Sequence, residues 1–252
     1  HLAGKSIFES RRLMRQCYHA LFQAHGTCSA PRFGAQILAG LEMAILDAAG
    51  KTAGCAVHEL LGGKVRETID YFGFIQGDTA EDLAAAAARM VSDGHRVIYG
   101  KIGRGEQLDL EIIRRVREVV GKSVRLRFDP NEAWDPLTAA RMIRKIAAYD
   151  IEMIEQPCGH ESLHALRQIR ENSPIAIAAD QSVFNAADVY NAVTLGAADL
   201  IVLGLHETGG IVPFIEAAGV AAAAGVNICI HGLHETGVTT CAANQAAAVL
   251  SN

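Results

Sequence analysis

The 252-residue chain is 50% hydrophobic and 20% charged, enough to bury a full core and to exclude intrinsic disorder. Its net charge of −5, with no block of Lys or Arg, argues against a nucleic-acid groove or an anionic-membrane surface and for a small-molecule partner. The six cysteines (Cys17, Cys28, Cys55, Cys158, Cys229, Cys241) show neither a CxxC pair nor regular spacing, so they read as thiols of a reducing compartment and predict a cytoplasmic location.

From Lys5 to about Leu61 the pattern is helical. Leu41, Ala44, Ile45 and Ala48 recur at three-to-four spacing, and the segment closes at Gly62-Gly63. After Lys64 short apolar runs alternate with Ala-rich amphipathic segments. The runs are Ile69–Ile75, Val97–Ile102, Val124–Phe128, Ile151–Ile154, Ile175–Ala179, Leu200–Leu203 and Val226–Ile230, seven expected strands. They begin roughly 25 to 28 residues apart with a helical pattern in each gap, the mark of βα units and a parallel sheet. The most apolar stretch, Ile211–Ile230, carries Pro213, Glu216, Gly225 and Asn227, which predicts a helix followed by a strand rather than a membrane span. No signal peptide is expected ahead of it.

Polar residues decide between a barrel and an open sheet. Lys101, Asp129, Glu155, Asp180 and His231 each fall at the carboxyl end of a different expected strand. A barrel brings those ends onto one rim, whereas an open sheet spreads them along an edge and binds at a switch point. A hexapeptide, Gly-Leu-His-Glu-Thr-Gly, also recurs at Gly204–Gly209 and Gly232–Gly237, after the sixth and seventh runs.

Asp129, Glu155 and Asp180 are 26 and 25 residues apart, one βα unit each, so three carboxylates are expected to share one space. Unneutralised, they would repel. A hard cation with oxygen ligands resolves the repulsion, and Mg2+ fits because it takes a few carboxylates and keeps other positions for water or substrate, with Mn2+ as an alternative. The competing reading makes each acid a helix cap or the partner of a surface base. Lys101 lies one unit before the first carboxylate, where a nearby divalent charge would lower its pKa and make it a base near neutrality.

These residues resemble the muconate-lactonizing-enzyme and mandelate-racemase subgroups of the enolase superfamily. The likeness runs from Leu41-Glu42-Met43-Ala44-Ile45-Leu46-Asp47 and Leu60-Leu61-Gly62-Gly63 through Lys101-Ile102-Gly103, Asp129-Pro130-Asn131, Ile154-Glu155-Gln156-Pro157, Ala179-Asp180-Gln181-Ser182 and Thr208-Gly209-Gly210-Ile211. It implies an α/β fold, a (β/α)7β TIM-like barrel, preceded by the helical part of an α+β capping domain. Residues 1–64 would be that helical remainder and 65–252 the barrel domain without its last strand. It further implies Mg2+ on Asp129, Glu155 and Asp180, an enediolate formed by removal of the proton α to a substrate carboxylate, and association into homo-oligomers. Tyr99, Asn131, Gln181 and His206 would support the ligands or touch substrate.

The chain departs from the family pattern in four places. Tyr99 stands where the first lysine of Lys-x-Lys is usual, so Lys101 loses a positive neighbour and depends more on the metal. Gly204 stands where one subgroup has a lysine and the other an aspartate. Gln181 replaces a common glutamate, removing a charge that could tune the site. At the seventh strand His231 matches one subgroup's base and Glu235 an acid of the other, but without an aspartate at 204 His231 is expected to lack an orienting carboxylate. His206 and His234 read more readily as structural loop residues.

Racemisation needs two proton-transfer groups, whereas a syn cycloisomerisation or elimination can use one lysine for both transfers. With Lys101 as the firm base, the expected activity is that of a muconate-cycloisomerase-like lyase or isomerase on a small carboxylate. A hydroxy-acid dehydratase or racemase pairing Lys101 with His231 or Glu235 is the alternative. From another class stand a catalytically degraded metal-binding scaffold and a metal-free phosphate-binding barrel.

Overall fold

A computed structural model describes residues 2–25, 31–232 and 236–251. A 3-10 turn (Ile7–Glu9) precedes α1 (Ser10–His25), α2 (Pro31–Ala53) and α3 (Val57–Leu60). There follow β1 (Gly73–Ile75), α4 (Ala80–Ser92), β2 (Val97–Lys101), α5 (Glu106–Val120), β3 (Arg125–Asp129), α6 (Pro136–Ile146), β4 (Ile151–Glu155), α7 (Leu163–Glu171), β5 (Ala176–Ala179), α8 (Ala186–Leu195), β6 (Leu200–Leu203), α9 (Leu205–Thr208), α10 (Ile211–Ala223), β7 (Asn227–Ile230) and α11 (Gly237–Ala248). The strands follow sequence order, β1 to β7, and each of the seven expected runs overlaps one, β3 and β4 extending one residue beyond theirs to Asp129 and Glu155. The first is shorter than its run: its register with β2 starts at Gly73↔Ile98, which leaves the residues from Ile69 to Phe72 outside the ladder.

The chain divides into two compact units. One comprises residues 70–183 and 191–202. Its strands pair in parallel, with Val97 to Lys101 facing Arg125 to Asp129 in unbroken register and Glu155 facing Ala178. Ile98, Leu126, Phe128, Ile154, Ile177 and Ile201 are completely buried, as expected of parallel strands covered on both faces. Two of the helices between them start on strong caps: Thr79 and Asp82 form a capping box on α4, and the Asp135 carboxylate accepts from the amides of Leu137 and Thr138 ahead of Pro136 on α6. Each such cap is worth about 1 kcal/mol. Regular βα units with caps of this kind set the strand ends.

The other unit comprises residues 1–69, 184–190 and 203–252. Its long helix α2 buries Ala39, Ile45, Leu46 and Ala49. Phe33–Ala53 of α2 is long and apolar enough to cross a membrane by length and composition, yet it holds a buried glutamate, Glu42, and an Asp47–Lys51 ion pair at 2.6 Å. The C-terminal helix is tied down locally. The amides of Val65 and Arg66 donate to the Ala248 carbonyl, and the His58 amide donates to Gln245 Oε1 at 2.9 Å. β7 is anchored by the His231 amide, which donates to the Leu203 carbonyl at 3.1 Å.

Glu42 is 3% exposed and accepts from the Val212 amide at 3.2 Å, at the amino end of α10. Gly210 is needed there: its φ is +137°, and a Cβ on it would stand 2.0 Å from Glu42 Oε2. Burial outweighs the amides of Val212 and Ile211 and pushes the carboxyl up to about 7. A raised carboxyl stabilises the fold in its protonated form, so its contribution is complete below the ordinary glutamate range and is lost as pH rises through about 7. Denaturant titrations should show native stability falling by about 2 to 3 kcal/mol from this group between roughly pH 5 and pH 8. In Glu42→Gln, whose amide can still accept from Val212, that slope should flatten, and an unchanged slope would assign the pH dependence elsewhere.

Candidate metal centre

Three strand ends of the unit at 70–183 carry the acids. Asp129 and Glu155 are the last residues of β3 and β4, and Asp180 directly follows β5. All three are 0 to 2% exposed. The turns after them are specialised. Asn131 (φ 52°) and Glu132 (φ 67°) turn the chain after β3, and Gln156 (φ 31°) after β4, all with left-handed backbone that non-glycine residues adopt at a cost. After β2, Gly103 has φ +90°, and a Cβ there would meet the Pro130 carbonyl at 2.6 Å, so the Lys101-Ile102-Gly103 turn closes directly on the turn after Asp129. Buried Asp109 holds the same turn by accepting from the amides of Gly103 and Arg104, each at 3.0 Å.

The structure brings several of these side chains close together. Tyr99 Oη lies 2.8 Å from Asp129 Oδ2 and 2.9 Å from Glu155 Oε1, so one hydroxyl links two carboxylates. Its single proton serves one acceptor at a time. Burial first, then the charges of Glu155 and Asp129, push the phenol well above its usual range and keep it protonated. A carboxylate oxygen of Glu155 lies within 4.8 Å of one of Asp180. Lys101 reaches Asp129 Oδ2 with its ammonium, while the Asn131 amide donates to Asp129 Oδ1 at 2.5 Å. Tyr99 and Lys101 are therefore both on the carboxylate series, and the phenol does part of the neutral bridging that the expected lysine would do by charge.

These residues suit a hard divalent cation: three buried carboxylates stand against one ammonium, and all their donor atoms are oxygens. Gln156, for which the sequence indicates no role, is the clamp. Its Oε1 accepts from the Asp180 amide at 3.0 Å and the Ser182 amide at 3.3 Å, while its Nε2 donates to the Cys158 carbonyl and Ser182 Oγ, each at 2.9 Å. One buried amide thus locks the ends of β4 and β5 together. A buriable polar residue beside a strand-end acid and before a proline is the only sequence signal for it. Gln181, by contrast, makes none of these clamp contacts.

In the other unit two histidines and a glutamate lie close together. His231 follows β7, and its Nε2 lies 2.8 Å from Glu207 Oε2 on α9. The expectation that His231 lacks an orienting carboxylate is therefore corrected: the acid comes from Glu207, three residues after the position where the family pattern places one. His206 Nε2 is 3.8 Å from Glu207 Oε1, and the two imidazole centroids are 5.7 Å apart. A Cβ on Gly204 would come 2.5 Å from His206 Cε1, so glycine at 204 admits the His206 ring. Burial lowers the His206 pKa, outweighing the charge of Glu207, which would raise it. Burial would raise Glu207, but its hydrogen bond and charge interaction with His231 prevail and hold it below the usual range. Glu235 and His234 lie outside the described residues.

The family model described as enolase C-terminal domain-like matches residues 82–252. Muconate cycloisomerase 1 of Pseudomonas putida is 34% identical over 189 residues, 74% of this chain and 50% of that protein. L-Ala-D/L-Glu epimerase of Bacillus subtilis is 30% identical over 246 residues, 96% of this chain and 64% of that protein. The crystal structure of a dipeptide epimerase from Enterococcus faecalis V583, complexed with Mg and the dipeptide L-Leu-L-Tyr, superposes with a TM-score of 0.87 at 28% identity, covering 99% of this chain and 68% of that one. The chain thus spans about half to two-thirds of the length of these relatives, and its fold is the TIM-like barrel class that the strand-end pattern predicts.

If Gln156 and Tyr99 hold the carboxylates in place, Gln156→Ala and Tyr99→Phe should each weaken Mg2+ binding about tenfold or more by isothermal titration calorimetry. Native affinity in both variants would show that the three acids need neither support.

Proposed function

The chain belongs to the enolase C-terminal domain-like family, and on that premise we propose that it carries the metal-dependent removal of a proton α to a carboxylate, with Asp129, Glu155 and Asp180 as ligands and Lys101 as a base. The observation behind this reading is the Tyr99-bridged pair of buried strand-end carboxylates with the Lys101 ammonium on one of them. A divalent cation bound there would lower the cost of the dianion that forms when the proton leaves. The remaining work falls to the chain. Asp129 keeps Lys101 at the strand end, Tyr99 stays protonated between its two acceptors, and Gln156 holds the ends of β4 and β5. Lys101 takes the proton in its neutral form and returns it as an ammonium.

The number of proton-transfer groups chooses the reaction class. His231, oriented by Glu207, has the support expected of an acid–base histidine, which favours a two-base reaction, racemisation or epimerisation at the α-carbon of a small carboxylate. The 30% identity to an L-Ala-D/L-Glu epimerase is in keeping with it. A one-base, cycloisomerase-like reaction through Lys101 alone is the second reading, favoured by the 34% identity to a muconate cycloisomerase.

Solvent deuterium exchange with bound Mg2+, over a panel of dipeptides, hydroxy acids and muconates, separates them by mass spectrometry. A two-base enzyme should exchange both configurations of its substrate, Lys101→Met should retain exchange of one configuration and His231→Asn of the other, and neither variant should invert the centre. Exchange that survives His231→Asn intact but not Lys101→Met would establish the one-base reaction instead. Absence of exchange across the panel despite bound Mg2+ would leave a metal-binding scaffold.

A further inference from the structure

The dyad of His231 and Glu207 accounts for two members of the cluster around α9, but not for the third. His206 Nε2 is buried and has no hydrogen-bond partner among the described residues. A buried imidazole nitrogen left without a partner is costly, and the chain also gives up any side chain at 204 to seat this ring. One nitrogen from His206, one oxygen from Glu207 and one nitrogen from His231 all lie within 4.8 Å of one another. That set differs in kind from the all-oxygen set of Asp129, Glu155 and Asp180. Two imidazoles and a carboxylate suit borderline divalent ions such as Zn2+ or Co2+, which bind three protein ligands and keep a fourth position open. Mg2+ is poorly served by nitrogen. The cluster is also reachable, since Glu207 lines a cavity of about 380 Å3 with Arg15, Glu42 and Asn185.

We propose that His206, Glu207 and His231 form a cation site selective for borderline divalent ions over Mg2+. Its occupation would draw the Glu207 carboxylate and the His231 nitrogen onto the ion and so take His231 out of proton transfer; that consequence rests on the two-base reading above, whereas the binding does not.

Co2+ is the probe. Titrated into the chain in large excess of Mg2+, it should bind at one equivalent with the intense visible absorption of a four-coordinate ion, and the proton spectrum should show two paramagnetically shifted, exchangeable imidazole signals. His206→Ala and Glu207→Gln should each weaken this binding about tenfold or more. Asp129→Asn should leave it as it is. Removal of the cobalt by Asp129→Asn, or native binding in both cluster variants, would overturn the site. Should a substitution unfold the chain, the native protein decides alone: shifted imidazole signals support the proposal, and an all-oxygen spectrum ends it.

Discussion

Like charge confined at the ends of parallel strands is the constraint that the unit at 70–183 is built around. Asp129, Glu155 and Asp180 are withdrawn from water, where two charges about 4 Å apart still repel by about 4 kcal/mol at the effective dielectric of a protein. No single group answers that repulsion. Tyr99 offers its proton to two of the acids, Lys101 and the Asn131 amide serve Asp129, and Gln156 fixes the backbone that carries Asp180. These are neutral donors apart from Lys101, so they orient the carboxylates without cancelling their charge. A cradle that is organised but still anionic is what a dication needs, because ligands already in place need not be gathered when it binds.

Tyr99 and Gly204 show how a departure from a family pattern is absorbed by neighbours. A lysine in place of Tyr99 would set a second ammonium beside the acids; the phenol keeps the bridge and drops the charge. At 204 the absent side chain makes room for the His206 ring, and Glu207 supplies the carboxylate that His231 lacks from that position. At both positions the contacts are made by groups other than those the resemblance implies.

Much of this was legible beforehand because period carries position. One βα unit per acid puts Asp129, Glu155 and Asp180 at equivalent strand ends, and once the strands are parallel their convergence follows. Lys101 and Tyr99 were legible for the same reason, lying two residues apart at the end of β2. What stayed hidden depends on direction rather than period. Glu207 sits on a four-residue helix, α9, whose path sends its side chain to His231, and no spacing rule anticipates such a turn. Gln156 stayed hidden because its role depends on a left-handed backbone that turns its amide onto the next strand end.

The placement of backbone strain supports the same assignment from an independent direction. Among the described residues, the non-glycine positions with left-handed φ are Asn131, Glu132, Asp150 and Gln156. Asp150 ends a 3-10 turn, a common place for such a residue. The other three lie within three residues after the acids of β3 and β4. Each costs about 1 to 3 kcal/mol unless its surroundings compensate. The compensation is visible: the Asn131 amide reaches Asp129, the Glu132 amide reaches the Gln156 carbonyl at 2.9 Å, and the Gln156 side chain makes its contacts across to β5. A fold indifferent to those turns could relax them with glycine, as it does at Gly103 and Gly121. Keeping Asn131 and Gln156 instead retains the side chains and amides that aim the carboxylates, so the strain falls where the orientation of the acids is set.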